Sequence, residues 1–132
     1  MAGEMVLVVE DNEINMELAT DLLEAKGYEV IQAATAEKGI ERARTNKPLL
    51  ILMDIGLPGM DGLTATGILK NDPETSHIPV VAMTAHAMKG DEDEALGAGC
   101  VGYIAKPIDT RSFSAAVADF IEKDRLNLYR PG

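Results

Sequence analysis

Five polar side chains in this sequence each follow an apolar stretch, and their types are those that handle phosphoryl groups. Glu10 and Asp11 follow Met5–Val9 (MVLVV), and Asp54 follows Leu49–Met53 (LLILM). Thr84 follows Pro79–Met83 (PVVAM), and Lys106 follows Gly102–Ala105 (GYIA). A carboxylate can attack phosphorus as a nucleophile. A lysine and a hydroxyl can neutralise and hydrogen-bond the transferring oxygens. Three carboxylates brought together repel one another unless something compensates them. One divalent cation and the Lys106 ammonium would cancel their charge. Oxygen-only ligands suit a hard cation such as Mg²⁺, which keeps several waters and bridges to phosphate. Without metal, the trio is expected to show raised or coupled pKa values. Taken singly, an Asp after a strand is usually a turn former or helix cap, and a lone Thr or Lys there is solvated. Convergence in one place raises the chemical reading above those.

The elements decide whether they converge. From Ile14 the period changes to that of a helix. Ile14, Leu18, Leu22 and Ala25 predict its buried face, and Gly27 stops it. Tyr28–Ala33 (YEVIQA) alternates as an edge strand does. Thr35 can cap a second helix buried through Ala36, Ile40 and Ala43, and Pro48 ends it. A weaker third helix is expected over Leu63–Asn71 and an acidic fourth over Lys89–Ala98. The last shows Phe113, Val117, Phe120 and Ile121 on one side and ends near Lys123. Strands alternating with helices predict an α/β fold with a parallel sheet covered on both faces. The five-stranded solution is the flavodoxin-like doubly wound (βα)5 arrangement in the order 2-1-3-4-5, with ligands at the carboxyl ends of the strands. All five polar residues would then face one crevice.

A chain of 132 residues, 46% hydrophobic and 26% charged, is the size and balance of one domain. Its expected extent is 1–125, with 126–132 a short tail and no output domain. A formal net charge of -10 repels a nucleic-acid backbone, so no nucleic-acid binding is expected. The single cysteine, Cys100, excludes an intrachain disulfide. Apolar runs as short as Leu49–Met53 cannot span a bilayer, and the N-terminus lacks the pattern of a signal peptide. A cytoplasmic protein with no membrane association is the expectation.

Four segments together resemble the receiver domain of bacterial two-component response regulators. They are Val8-Val9-Glu10-Asp11-Asn12, the stretch Leu52–Gly62 (LMDIGLPGMDG), Ala82-Met83-Thr84-Ala85, and Gly102–Ile108 (GYIAKPI). Glu10–Met16 and Ala87–Glu92 are similar to single-domain regulators of the DivK type, and also to receiver modules of hybrid histidine kinases. The resemblance implies a phosphoacceptor switch rather than an enzyme. Asp54 would accept the phosphoryl group from a histidine kinase or a histidine phosphotransfer protein. Mg²⁺, for which Mn²⁺ is expected to substitute, would be held by Asp11, Asp54, the backbone carbonyl of Gly56 and, through water, Glu10. Thr84 and Lys106 would hold phosphoryl oxygens, Tyr103 would change rotamer on activation, and Lys106–Pro107 would be cis. Targets would read the face of the fourth helix, fifth strand and fifth helix, the chain being a monomer or a weak phosphorylation-dependent dimer. Gly56 and His86 depart from the family's usual pattern at positions that bear on phosphoryl lifetime.

Plainer readings stand beside these. Tyr103 taken alone is a half-buried edge-strand tyrosine. His86 and His77 are loop residues, the methionines are packing residues, and Asp91–Glu94 is a solvated acidic first turn of a helix. Two other functions fit the same fold. A flavin-binding electron carrier needs a Gly, Ser or Thr phosphate loop after the first strand, where Glu10-Asp11 stand here. A Mg²⁺-dependent phosphatase with an Asp nucleophile needs a second acid–base Asp, where Ile55-Gly56 follow Asp54, and a cap.

Overall fold

The computed structural model describes residues 4–85 and 89–128. The apolar runs become strands and the periodic stretches helices, in the order β1 (Met5–Val9), α1 (Glu13–Glu24), β2 (Glu29–Ala33), α2 (Ala36–Asn46) and β3 (Leu50–Asp54), followed by α3 (Gly62–Lys70), β4 (Val80–Thr84), α4 (Lys89–Ala98), β5 (Gly102–Ala105) and α5 (Phe113–Arg125). All strand pairs are parallel, in the order β2-β1-β3-β4-β5. This is the expected flavodoxin-like sheet.

Successive residues of a strand point to opposite faces, and here each face has its own core. Leu7, Val9, Ile51, Met53, Val80 and Ala82 pack on one side against Ile40 and Ala43 of α2, Leu69 of α3 and Ala95 of α4. Val6, Val8, Leu50, Leu52, Val81 and Met83 pack on the other against Met16, Ala19 and Leu23 of α1 and Phe113, Val117 and Ile121 of α5. Strands covered on both faces have no polar side, so β1, β3 and β4 read as unbroken apolar runs. Burying each such leucine contributes about 1.5–3 kcal/mol. β2 lies at the edge with Glu29 and Gln32 exposed, as its alternation predicted.

The buried face of α1 differs from the expectation. Ile14 is 76% exposed, and Met16, Ala19 and Leu23 are the buried residues. Ala25 is exposed, while Leu18 and Leu22 are only partly buried beside the core. Both stripes fit a helical period; the helix is rolled so that Met16, Ala19 and Leu23 meet the sheet.

Side-chain caps start the first three helices soon after each strand. Asn12 accepts from the Asn15 N–H at 2.9 Å, Thr35 from Lys38 N–H at 3.2 Å, and Asp61 from Thr64 N–H at 2.8 Å. Glu10 and Asp11 are thereby pinned between the last residue of β1 and the cap of α1. None of the helices among the described residues is long and apolar enough to cross a membrane.

Candidate functional site

Strand register brings the polar residues together. Val9 is level with Met53, Asp54 with Met83, and Thr84 with Ala105. The chain leaves each strand in the same layer: Glu10 N–H bonds the Ala33 carbonyl at 3.0 Å, Ile55 N–H that of Met83 at 3.1 Å, and Lys106 N–H that of Thr84 at 2.8 Å. Gly62, at the start of α3, helps hold β3 in place. A Cβ there would run into the backbone of Asp54 and Ile55, so only glycine lets the loop fold back this closely.

Lys106 is the centre of the charge arrangement. Its Nζ lies 2.7 Å from Glu10 Oε1 and donates to Asp54 Oδ2 at 3.0 Å. The other Asp54 oxygen accepts from the Gly56 N–H at 2.9 Å, and Glu10 Oε2 accepts from the Asn12 N–H at 3.2 Å. Glu10 Oε1 is buried, and the close approach of Lys106 is off the hydrogen-bond direction. The contact is therefore an ion pair that leaves this oxygen without a well-aligned donor. Glu10 and Asp54 are 2% and 5% exposed, which makes that deficit costly. Burial raises the Glu10 pKa, and the neighbouring Asp54 carboxylate adds to this against Lys106 and the Asn12 N–H. At Lys106, burial alone would lower the pKa, but Glu10 and Asp54 reverse it and the net shift is upward. The expected perturbation of a carboxylate in the trio is thus present at Glu10.

One carboxylate oxygen from each of Glu10, Asp11 and Asp54 lies within 4.8 Å of the others. Three convergent carboxylate oxygens fit a hard divalent cation. Beside them a crevice of about 350 Å³ is lined by Asp54, Ile55, Gly56, Thr84, Ala85, Asp91 and Lys106. A larger groove of about 540 Å³ opens on the other side of Glu10 and Asp11, along α1. The smaller one holds Asp54, Thr84 and Lys106 together, and it is the one with the chemistry. Tyr103 is level with Ala82, two residues before Thr84, and packs against the α2–α3–α4 core, where Glu92 of α4 is near enough to raise its pKa. The Lys106–Pro107 bond is cis. His86 falls outside the described residues.

Comparison with known proteins decides the family. The model of the response regulator receiver domain matches residues 6–118. The chain belongs to the response regulator receiver family. It is 48% identical over 116 residues to the polar-differentiation response regulator DivK of Brucella anthropi, covering 88% of this chain and 94% of that one. The receiver domain of a sensor histidine kinase from Pseudomonas aeruginosa PAO1, solved with magnesium in its active-site cleft, has a TM-score of 0.84 at 32% identity, covering 92% of this chain and 99% of that one. A CheY-like receiver from Methanospirillum hungatei JF-1 has a TM-score of 0.86 at 25% identity, covering 96% and 99%. This is a DivK-like receiver of the two-component type, and its acidic cluster fits a Mg²⁺ and phosphorylation site.

Two roles have no local signal in the sequence. Gly62 stands in the LMDIGLPGMDG motif, but its close approach to Asp54 is tertiary. Asp91–Glu94 reads as a solvated acidic turn. Asp93 and Glu94 are exposed, but Asp91 and Glu92 are half-buried, the first lining the crevice and the second near Tyr103.

Proposed function

We propose that this receiver is a cytoplasmic switch that takes a phosphoryl group on Asp54 from a histidine kinase or a phosphotransfer protein and signals through protein contacts. The observation that carries the reading is the Asp54 carboxylate, buried at the end of β3 and held by Lys106 and the Gly56 N–H. An Asp54 oxygen attacks phosphorus, the phosphorus–nitrogen bond of the donor histidine breaks, and its electron pair leaves with the imidazole. Lys106 orients Asp54 and then offers its charge to the phosphoryl oxygens, while the Thr84 hydroxyl donates to one of them. Asp11, Asp54, the Gly56 carbonyl and, through water, Glu10 would hold Mg²⁺. When bound, the ion supplies charge neutralisation to the transferring oxygens. The protein assists its own phosphorylation and dephosphorylation and turns over no separate substrate. Targets would read the α4–β5–α5 face once Thr84 and Tyr103 have rearranged.

A second reading, a relay module of a hybrid kinase, draws on the likeness to the Pseudomonas kinase receiver. The higher identity to DivK favours the first. Intact-mass measurement with acetyl phosphate and Mg²⁺ tests the core of the proposal. The wild type should gain one acid-stable, hydroxylamine-labile phosphate and Asp54→Asn none; an unchanged adduct on the variant overturns it.

A further inference from the structure

Asp91 sits in the first turn of α4, half-buried, and lines the crevice with Asp54, Gly56, Thr84 and Lys106. It makes no hydrogen bond or ion pair with the described residues. It also stands outside the Glu10–Asp11–Asp54 trio whose oxygens converge. A negative charge there does nothing to gather a cation, and it opposes an incoming phosphoryl dianion. A carboxylate without a partner among the described residues, lining a reaction crevice, is however equipped to accept a hydrogen bond and then a proton from water.

Resting on the assignment of Asp54 as phosphoacceptor, we infer that Asp91 is the residue that sets the lifetime of the phosphorylated state, by holding and deprotonating the water that hydrolyses it. The water oxygen bonds to phosphorus, and the phosphorus–oxygen bond to Asp54 breaks with its electron pair returning to the Asp54 carboxylate. The water proton passes to Asp91, from which it leaves to solvent as inorganic phosphate departs. No further reactant is needed. Asp91 thus serves the decay of the signal, and Asp54 and Lys106 its formation.

The test phosphorylates the wild-type chain, Asp91→Asn, Asp91→Glu and Asp91→Ala with acetyl phosphate and Mg²⁺. The donor is then removed, and loss of the hydroxylamine-labile phosphate is followed by intact mass. Asp91→Asn should slow decay by at least about tenfold, a modest share of what a positioned base supplies. Loading should be no slower than wild type, since a repelling charge is gone. Asp91→Glu should restore much of the decay rate, and added formate should accelerate decay in Asp91→Ala and not in wild type. Equal decay in wild type and Asp91→Asn overturns the inference. Slowed decay that neither Glu nor formate restores overturns it too, because it leaves only a structural role. Absence of any adduct on wild type removes the Asp54 assignment and this inference with it. An adduct that forms normally and decays independently of residue 91 removes this inference alone.

Discussion

The two walls of the crevice are built differently. On the β1–β3 side, Glu10 and Asp54 follow Val9 and Met53, both fully buried, and each carboxylate is held by a backbone N–H as well as approached by Lys106. On the α4 side the helix carries an acidic first turn, buries Ala95 and leaves Leu96 53% exposed. A charged trio needs fixed geometry and gets it from central strands. A segment that must respond to a new phosphoryl group has to be cheap to move, and a helix with little apolar anchorage is cheap to move. Receiver switching would then be a property of one wall and receiver chemistry of the other.

The largest expected effect is on stability. Leu52→Ala empties a fully buried position on β3 and should cost about 2–5 kcal/mol in urea unfolding. Leu96→Ala, on exposed α4, should stay within about 0.5 kcal/mol. Comparable losses at the two positions would erase the distinction between the walls.

Next in size is the charge centre. In metal-free buffer Lys106→Met leaves Glu10 and Asp54 without their cation. Breaking a buried pair costs about 3–5 kcal/mol. About 2 kcal/mol is expected here, because Glu10 can take up a proton instead. Asp11→Ala should do the reverse and melt higher than wild type without metal. Mg²⁺ at about ten times its Kd should add roughly 1.4 kcal/mol to the wild type. A melt indifferent to millimolar Mg²⁺, with Asp11→Ala no more stable than wild type, would show that the trio is not under electrostatic strain.

The same division separates what could be read in the sequence from what could not. Glu10, Asp54, Thr84 and Lys106 were legible because each ends an apolar run, and a parallel sheet forces run ends into one layer. The α4 residues were not. Neighbouring positions on a helix are turned about 100° apart, so four acids in a row spread over about 300° and cannot share one solvated face. Which two face inward depends on how α4 sits against β5, and no periodicity encodes that. The roll of α1 escaped for a related reason, since Ile14–Leu18–Leu22 and Met16–Ala19–Leu23 both satisfy the helical spacing. A sheet fixes the direction of a side chain by parity alone; a helix leaves it to docking.

A subtler effect concerns how far phosphorylation is felt. Nuclear magnetic resonance with beryllofluoride, which imitates a phosphoryl group, should move amide signals from Asp54 through residues 89–105 and into the start of α5. The strand interiors of β1 and β3 should stay still. Thr84→Ala should still bind the mimic and lose much of the distant change. Shifts confined to the crevice would make the chain a relay and not a switch. A ligand moves such an equilibrium only by its differential affinity for the two states.

The smallest effect tests the link between the walls. Tyr103 on β5 lies near Glu92 on α4, and the influence of that carboxylate, with burial adding to it, raises the phenol above its ordinary pKa of 10.0. A raised pKa favours the neutral phenol in the folded state. Its contribution to stability is therefore complete below the ordinary tyrosine range and is lost as pH rises through the folded value. Tyrosinate absorbance should show a step that vanishes in Tyr103→Phe and moves to lower pH in Glu92→Gln. Tyr28 is raised mainly by burial and should not follow that change. If activation turns Tyr103 away from Glu92, beryllofluoride should lower the same step in wild type and leave it in place in Glu92→Gln. A step that ignores both the substitution and the mimic would mean that β5 and α4 are not joined through this pair. The α4 wall would then have to be coupled to the crevice by another route, such as Thr84.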